Sequence, residues 1–284
     1  MRLATRGSAL ALAQARHVAE LLGGDVELVT VTTQGDRHPA VRDKREWVSA
    51  LEVALLNGEA DLAVHSAKDV PVQLADGCAL VGAPARADPR DALCGAASLD
   101  ALGEGARVGT SSLRREAGLR ALRPDLEVLE LRGNVDTRLR KLGAGDYDAI
   151  VLALAGLQRL GRAREAGAVL DELVPAAGQG VLALEARADD DTAREAAERI
   201  TDADALACLT CERALVAALD ADCRTPVGAH AAREDGGLRL RAFVGRPDGS
   251  AWVRDELTGG EPEALGAEVG ARLLAAGAAE VLGR

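Results

Sequence analysis

Four side chains with reactive or charged groups follow one short apolar segment of the chain. The stretch ADLAVHSAKDVP places His65, Ser66, Lys68 and Asp69 directly after the apolar residues LAV. A fixed carboxylate can move protons or stabilise a developing cation, whereas a hydroxyl and an ammonium group can bind an anion. A single histidine at the end of a strand is more often hydrogen-bonded structure than an acid or base, so we expect a structural role for His65.

Two other stretches carry hydroxyl groups and cations just before a predicted helix. They are TRGS, with Arg6 and Ser8, and GTSSLRR, with Thr110, Ser111, Ser112, Arg114 and Arg115. The first backbone N–H groups of a helix lack intrahelical partners and carry partial positive charge, so both turns are suited to bind an anion. Ser8 and Ser112 are also typical helix caps, and capping uses the same geometry as anion binding.

The cysteines favour reduced thiols over disulfides or a metal site. The chain has 5 cysteines and no secretory signal, a combination typical of a reducing compartment. Cys208 and Cys211 form a C-x-x-C pair inside a predicted helix, but no second pair completes the roughly four ligands of a structural zinc site. Cys223 lies in a predicted loop beside Arg224, where a thiol is inert unless its surroundings activate it.

Composition and charge exclude several classes of function. The 284 residues are 48% hydrophobic but contain no apolar run long enough to cross a bilayer, and the N-terminal segment is not typical of a secretion signal, so we expect a cytoplasmic protein. A net charge of −11 and an aromatic content of 1% argue against nucleic-acid binding. Arginines nevertheless cluster over 107–141. This cationic region suits a small multivalent anion, although about half of these arginines are expected on a solvated helix face.

Hydrophobic periodicity predicts the same order of five elements twice. The first pass is a strand over 2–5, a helix over 9–22, a strand over 25–33, a helix containing Trp47 and Leu51, and a strand over 60–66. The second pass is a strand over 106–110, a helix from 113, a strand over 126–134, a helix containing Leu139, and a strand over 147–157. The matched order predicts a duplication, with two similar α/β domains facing one another.

The sequence after the second α/β unit predicts a hinge and a third domain. A strand over 180–186 follows a glycine-rich turn, and its return to the first unit would form a hinge. A helix over 204–219, strands over 228–234, 238–245 and 251–258, and a helix over 261–282 predict a small α+β domain. The predicted boundaries are 1–83 with 181–201 for the first domain, 84–180 for the second and 202–284 for the third.

The predicted architecture places the candidate residues in one crevice. In open α/β sheets, ligands bind outside the carboxyl ends of the strands. Applied to both units, this rule brings the SAKD segment together with GTSSLRR and with Arg132, which follows the strand core of the second unit. The sequence thus predicts a crevice lined by hydroxyl groups, cations and the carboxylate of Asp69.

Seven motifs, in family order, resemble those of the porphobilinogen deaminases, also called hydroxymethylbilane synthases. They are RLATRGSALALAQA, ADLAVHSAKDVP, VGTSSLRR, LRGNVDTRL, DAIVLALAGLQRLG, PAAGQGVLALE and DCRTPVGA, and they extend over essentially the entire chain. The resemblance implies two periplasmic-binding-protein-like α/β domains joined by a hinge, plus a small C-terminal α+β domain. It also implies a monomeric cytoplasmic transferase of haem biosynthesis that uses no metal, nucleic acid or membrane.

The same resemblance implies a reaction and its residues. Family members deaminate four porphobilinogen units, join them head to tail on a dipyrromethane cofactor, and release linear hydroxymethylbilane by hydrolysis. Cys223 would carry the cofactor by a thioether, and Asp69 would stabilise the azafulvenium-like cation that remains when ammonia leaves. Residues expected to hold the cofactor carboxylates are Ser66, Lys68, Thr110, Ser111, Ser112, Arg114 and Arg115. Those expected to bind the incoming pyrrole or growing chain are Arg6, Ser8, Arg132, Arg138, Arg159 and Gln179.

One region, residues 35–50, departs from the family pattern. The family has a longer mobile loop and a Gly-Leu-Phe-x-Lys-Glu motif, whereas this chain has GDRHPAVRDKREWVSALE, with Trp47 at the aromatic position. If this loop covers the site, closure or elongation would differ here; Trp47 in register with Leu51 is favoured as ordinary helix packing. Two alternatives stay open: a non-catalytic two-domain protein that binds small anions or pyrroles, and a family member without activity.

Overall fold

A computed structural model of the chain describes residues 1–33, 45–222 and 225–284. The described strands are β1 Arg2–Arg6, β2 Glu27–Val31, β3 Leu62–Ser66, β4 Cys78–Gly82, β5 Asp91–Cys94, β6 Arg107–Thr110, β7 Glu127–Glu130, β8 Ala149–Ala153, β9 Ala168–Leu170, β10 Leu182–Arg187, β11 Val227–Glu234, β12 Gly237–Gly245 and β13 Trp252–Gly259. The described helices are α1 Ala9–Leu22, α2 Arg45–Leu56, α3 Leu113–Leu122, α4 Val135–Gly143, α5 Leu154–Arg159, α6 Asp191–Glu198, α7 Ala203–Ala218, α8 Pro262–Ala275 and α9 Ala278–Val281, with 3-10 turns at Ala67–Asp69 and Ala163–Glu165. Within the described ranges, no helix combines the length and the apolar character needed to span a membrane.

The first sheet has the strand order β2-β1-β3-β10-β4. β1 pairs in parallel with β2 and β3, whereas β10 runs antiparallel to β3 and β4. Successive strand residues point to opposite faces, so Leu3 packs in the core under α1 and Ala4 in the core under α2. Ser8 caps α1 by accepting a hydrogen bond from the Ala11 N–H at 3.3 Å, as its position predicted.

The second sheet repeats this arrangement as β7-β6-β8-β5-β9. β6 pairs in parallel with β7 and β8, and β5 runs antiparallel to β8 and β9. Every strand therefore has a counterpart in the first sheet, which confirms the prediction of two similar α/β domains. The strand predicted over 147–157 is wrong at its end, because β8 stops at Ala153 and α5 follows. Periodicity also does not predict the short strands β4, β5 and β9.

Two crossing segments connect the α/β domains. Residues 83–90, the first crossing segment, lead from β4 into β5, and residues 171–181, the second, lead from β9 back to β10. They run side by side, since the Ala87 N–H donates to the Gly180 carbonyl at 3.1 Å. Gly180 has φ +88° and a Cβ there would collide with the Ala87 carbonyl oxygen, so glycine is required. The predicted hinge is confirmed, with a second connection that the sequence did not reveal.

The third domain pairs an antiparallel sheet with two helices. The sheet order is β11-β12-β13, and α7 and α8 pack on one face through Leu215 and Val269 against Leu240. This confirms the predicted small α+β domain. The helix predicted over 261–282 is wrong in its continuity: α8 ends at Ala275, and Gly277, with φ 94°, precedes α9.

One buried carboxylate joins the third domain to both crossing segments. Glu212 of α7 is 0% exposed. Its Oε1 lies 2.6 Å from Arg86 Nη1 in the first crossing segment and accepts a hydrogen bond from the Ala231 N–H at 2.8 Å. Its Oε2 accepts a hydrogen bond from the Gly178 N–H in the second crossing segment at 2.6 Å. Because water does not reach this carboxylate, its charge is stabilised by these three partners together.

The variant Glu212→Ala is expected to lower the free energy of unfolding by about 3 kcal/mol, because it leaves a nearly buried guanidinium without a counter-ion. The melting temperature and the urea midpoint measure this change. Asp204→Ala is the matched control on the same helix, since Asp204 pairs with Arg233 at 2.8 Å on the surface, where an ion pair contributes at most about 1 kcal/mol. Equal losses in the two variants would contradict the junction role of Glu212.

Candidate active site

A chain of side-chain contacts joins the residues after β3 to those after β6. Lys68 Nζ donates to Gln179 Oε1 at 3.5 Å, and Gln179 Nε2 donates to Asp91 Oδ1 at 2.8 Å. Asp91 in turn is bound by Arg115 Nη2 at 2.8 Å. The structure thus brings together the two halves of the crevice that the strand-end rule predicted.

The candidate carboxylate Asp69 ends a 3-10 turn that is held from several sides. At the start of the turn, the Ala67 N–H donates to the Val181 carbonyl at 3.0 Å. Ser66 Oγ accepts a hydrogen bond from Gln14 Nε2 at 2.8 Å. After the turn, Arg213 of α7 donates to the Pro71 carbonyl at 2.9 Å. Elements from the first and third domains therefore fix the backbone on which Asp69 stands.

His65 faces a buried partner within the first sheet. Its Nε2 lies 2.8 Å from Glu185 Oε2 of β10, and both side chains are buried. The two residues sit on neighbouring antiparallel strands, where Ala183 pairs with His65. This placement agrees with the structural role expected for His65.

The hydroxyl groups of GTSSLRR organise the start of α3. Thr110 Oγ1 accepts a hydrogen bond from the Ser112 N–H at 3.2 Å, and Ser112 Oγ accepts one from the Arg115 N–H at 3.4 Å. Ser112 is therefore a helix cap, as its position predicted. Ser111 Oγ points elsewhere and accepts a hydrogen bond from Arg138 Nη2 at 3.1 Å.

Arg114 and Arg115 are buried and already share a protein carboxylate. Arg114 Nη1 lies 2.8 Å from Asp91 Oδ2, and Arg115 Nη2 lies 2.8 Å from Asp91 Oδ1. Burial by itself would raise the pKa of Asp91, but the two guanidinium charges hold it well below its usual range. Sequence reasoning missed Asp91. The available signal was a carboxylate at the start of the apolar DALC segment, since a charge carried into a core requires a partner.

Two other arginines of the crevice form no ion pair with a carboxylate in the described part of the chain. Arg138 donates to the Gly133 carbonyl at 2.8 Å and to Ser111, and Arg159 donates to the Gly180 carbonyl at 2.7 Å. Burial, together with the nearby charge of Arg115 and against the opposing charge of Asp69, lowers the pKa of Arg138 to about 10. Burial likewise lowers the pKa of Arg159 to about 10. Both remain cationic at neutral pH, so an anion in the crevice would find two incompletely compensated charges.

The remaining predicted residues lie in different settings. Arg132 Nη2 pairs with Glu130 Oε1 at 2.7 Å near the surface, so the structure does not bring it into the contact chain. The Arg6 guanidinium lies 4.6 Å from the centre of the Trp47 ring. Trp47 therefore contacts a candidate site residue as well as belonging to α2, which its register with Leu51 did not indicate. Gln179 is 1% exposed, and its buried amide bridges Lys68 and Asp91.

The described thiols lack reactive character, and Cys223 lies outside the described residues. Cys78, Cys94, Cys208 and Cys211 are free. Burial raises the pKa of Cys78 to about 12, of Cys94 to about 11 and of Cys211 to about 12, and it raises that of Cys208 as well. Such thiols stay protonated and unreactive at neutral pH. Among residues 1–33, 45–222 and 225–284, no three histidine, cysteine or carboxylate side chains form a potential metal site.

The residues present fit a dipyrromethane with acidic side chains. The Arg114 Nε is buried and has no hydrogen-bond partner in the described ranges. It offers a donor for a carboxylate of the cofactor, and Arg138 and Arg159 offer further donors for the carboxylates of an incoming pyrrole. A buried cationic donor set of this kind favours a multivalent anion over a neutral ligand.

Comparison with solved structures gives only a distant likeness. The crystal structure of an ABC transporter from Parabacteroides distasonis covers 76% of this chain and 73% of its own, with a TM-score of 0.45 and 16% identity. The strand order of the three sheets defines the fold.

Sequence comparison is far more specific. The family model "Porphobilinogen deaminase, dipyromethane cofactor binding domain" matches residues 1–195, and "Porphobilinogen deaminase, C-terminal domain" matches residues 206–275. The porphobilinogen deaminase of Rubrobacter xylanophilus is 49% identical over 292 residues, covering 99% of this chain and 96% of the relative. That of Sorangium cellulosum is 48% identical over 293 residues, covering 96% and 98%. The chain therefore belongs to the porphobilinogen deaminase family.

Proposed function

We propose that the chain is a hydroxymethylbilane synthase: a transferase of haem biosynthesis that deaminates porphobilinogen, joins four units head to tail on a covalent dipyrromethane, and releases linear hydroxymethylbilane by hydrolysis. The observation that carries the proposal is the pair Arg138 and Arg159, half-buried cations that bind uncharged oxygens in the described ranges. A cation that is partly removed from water and forms no ion pair is costly unless a ligand supplies the anion. A pyrrole bearing two carboxylates is such a ligand.

The cofactor and substrate carboxylates divide between two sets of residues. When bound, the dipyrromethane supplies the pyrrole acceptor for the first incoming unit. We assign it to Ser66, Lys68, Thr110, Ser111, Ser112, Arg114 and Arg115, with the thioether on Cys223. We assign the incoming pyrrole and growing chain to Arg6, Ser8, Arg132, Arg138, Arg159 and Gln179. The contacts of Arg138 with Ser111 and of Lys68 with Gln179 support this division, because each joins one set to the other.

Asp69 is assigned the chemical step. Loss of ammonia leaves a cation on the substrate pyrrole, and a fixed carboxylate beside it stabilises that charge and handles the proton. The anchored 3-10 turn supports this role, since the backbone that carries the carboxylate is held in place before the reaction begins. The charge of Asp69 also acts on Arg138, which supports a location where substrate carboxylate and developing cation lie side by side.

The organisation of the molecule completes the proposal. We keep the boundaries 1–83 with 181–201, 84–180 and 202–284, supported by the membership of strands in the three sheets. We further propose a cytoplasmic monomer. We propose that residues 35–50 cover the site and that their departure from the family pattern alters this cover. Residues 34–44 lie outside the described ranges, and the contact between Trp47 and Arg6 supports a link from this region to the site.

The purified protein is expected to carry one covalent dipyrromethane on Cys223 when it is produced in a host that makes this cofactor. Intact mass spectrometry followed by peptide mapping measures the adduct. Cys223→Ser is expected to have the mass of the bare polypeptide, whereas the control Cys208→Ser is expected to keep the adduct, because the Cys208 thiol is buried and protonated. A bare wild-type polypeptide would overturn the assignment of Cys223.

Asp69→Asn is expected to reduce turnover of porphobilinogen on the order of a hundredfold or more, because a neutral amide does not stabilise the cation. The melting temperature is expected to stay near that of the wild type. The control Asp76→Asn removes a carboxylate from an exposed position a few residues further along and is expected to retain activity. Wild-type turnover in Asp69→Asn would refute the catalytic role.

Reversing the charge of Arg138 is expected to impair substrate binding more than reversing that of Arg132. Arg138→Glu places a carboxylate beside Asp69, where it repels the substrate carboxylates, so KM is expected to rise about tenfold or more. Arg132 shares its charge with Glu130 near the surface, and Arg132→Glu is expected to have a smaller effect. Steady-state kinetics of both variants measure the difference. An equal rise in KM would mean that Arg132 contributes as much to substrate binding as Arg138 does.

A further inference from the structure

Asp91 is a charged group that the proposed reaction does not use directly, yet it is completely buried. Its side chain is 0% exposed at the start of β5, where the first crossing segment enters the second sheet. Oδ1 accepts hydrogen bonds from Arg115 Nε at 3.0 Å, Arg115 Nη2 at 2.8 Å and Gln179 Nε2 at 2.8 Å. Oδ2 lies 2.8 Å from Arg114 Nη1. A single carboxylate thus collects donors from α3 and from the second crossing segment.

The guanidinium groups around Asp91 are fixed at further points. Arg114 Nη1 also donates to the Val174 carbonyl at 2.7 Å, and Arg115 Nη1 donates to the Val151 carbonyl at 3.0 Å. Both side chains are buried. Burial lowers the pKa of Arg114, while the charge of Asp91 opposes that shift. The carboxylate therefore keeps two adjacent, desolvated cations together that would otherwise repel one another.

The network also reaches the other side of the crevice. Gln179, anchored by its Nε2 to Asp91 and to the Pro89 carbonyl at 2.6 Å, presents its Oε1 to Lys68 Nζ at 3.5 Å. Lys68 immediately precedes Asp69 in the 3-10 turn. The amide of Gln179 cannot rotate without losing both of its donor contacts, so its acceptor oxygen has a fixed direction.

We propose that Asp91 is a positioning residue of the condensation site, orienting Arg114 and Arg115 directly and Lys68 through Gln179. This inference rests on the proposed function, because it concerns groups assigned to the cofactor. The cations Arg114 and Arg115 and the carboxylate of Asp91 together carry a net charge of plus one beside α3, and their contacts hold them in one geometry. An acidic ligand then meets donors that are already aligned instead of two mobile, mutually repelling side chains.

The test uses the full-length protein with Asp91→Asn and Gln179→Met, singly and combined. Asp91→Asn removes the charge at constant shape, and Gln179→Met cuts the link to Lys68 while leaving the ion pairs of Asp91. The readouts are the fraction of chains carrying the covalent cofactor, measured by intact mass, then kcat and KM of the loaded fraction, and the melting temperature. Each single variant is expected to lower the loaded fraction, and Asp91→Asn to lower kcat/KM on the order of tenfold to a hundredfold, as for other carboxylates that orient ligand-binding side chains.

The double variant separates a shared network from independent effects. If Gln179 acts through Asp91, adding Gln179→Met to Asp91→Asn is expected to lower kcat/KM little further, whereas independent residues would multiply their losses. If Asp91→Asn yields no folded protein, Asp91→Glu replaces it. That variant keeps the charge but moves the carboxylate by one methylene, and it is expected to fold and to lose loading in the same way.

Asp148→Asn is the matched control, since Asp148 pairs with Arg107 at 2.9 Å at the opposite end of the same sheet. It is expected to leave the loaded fraction and kcat/KM unchanged. A lower melting temperature for Asp91→Asn with normal loading and kcat/KM would mean that Asp91 only stabilises the fold, and this overturns the proposal. A wild-type protein with neither adduct nor product formation would instead overturn the proposed function, so the two failures are distinguishable.

Discussion

The placement of three domains around one site depends on burying a carboxylate where the chain crosses between them. Glu212 reaches from α7 to both crossing segments, with Arg86 on one and the Gly178 N–H on the other. A charge in a region without water is tolerated only when its partners surround it. The third domain is thereby bound to the hinge itself, and the next residue, Arg213, holds the chain just after Asp69.

The cations of the crevice fall into two electrostatic groups. Arg114 and Arg115 are matched by the buried carboxylate of Asp91. Arg138 and Arg159 are half-buried and bind uncharged oxygens in the described ranges. An acidic ligand therefore meets both fixed, partly neutralised charge and incompletely compensated charge. This difference suits a site in which one acidic group stays while others arrive and move.

The elements that carry regular local signals were predictable from the sequence. The bounds of α1 agree with its periodicity and with Ser8 as its cap, and the order of elements in both α/β units was correct. The short strands were not predictable, because β5 is defined by partners such as Ala153 that are distant in the chain. For the same reason the strand-end rule located the crevice but not Asp91, whose burial depends on arginines 23 and 24 residues later in the numbering. Periodicity records which face of an element is apolar, not which distant side chain meets it.

The two crossing segments have a mechanical consequence. They run in opposite directions and are hydrogen-bonded to each other between Ala87 and Gly180, so a change in the angle between the α/β domains has to bend both segments together. Paired connections of this kind are the arrangement in which hinge closure of two domains occurs. Gly178 packs against Ala67, with no room for a Cβ, so the inner end of the crevice is pinned. In the proposed reaction, space for a lengthening product would therefore open at the outer rim, away from the 3-10 turn that carries Asp69.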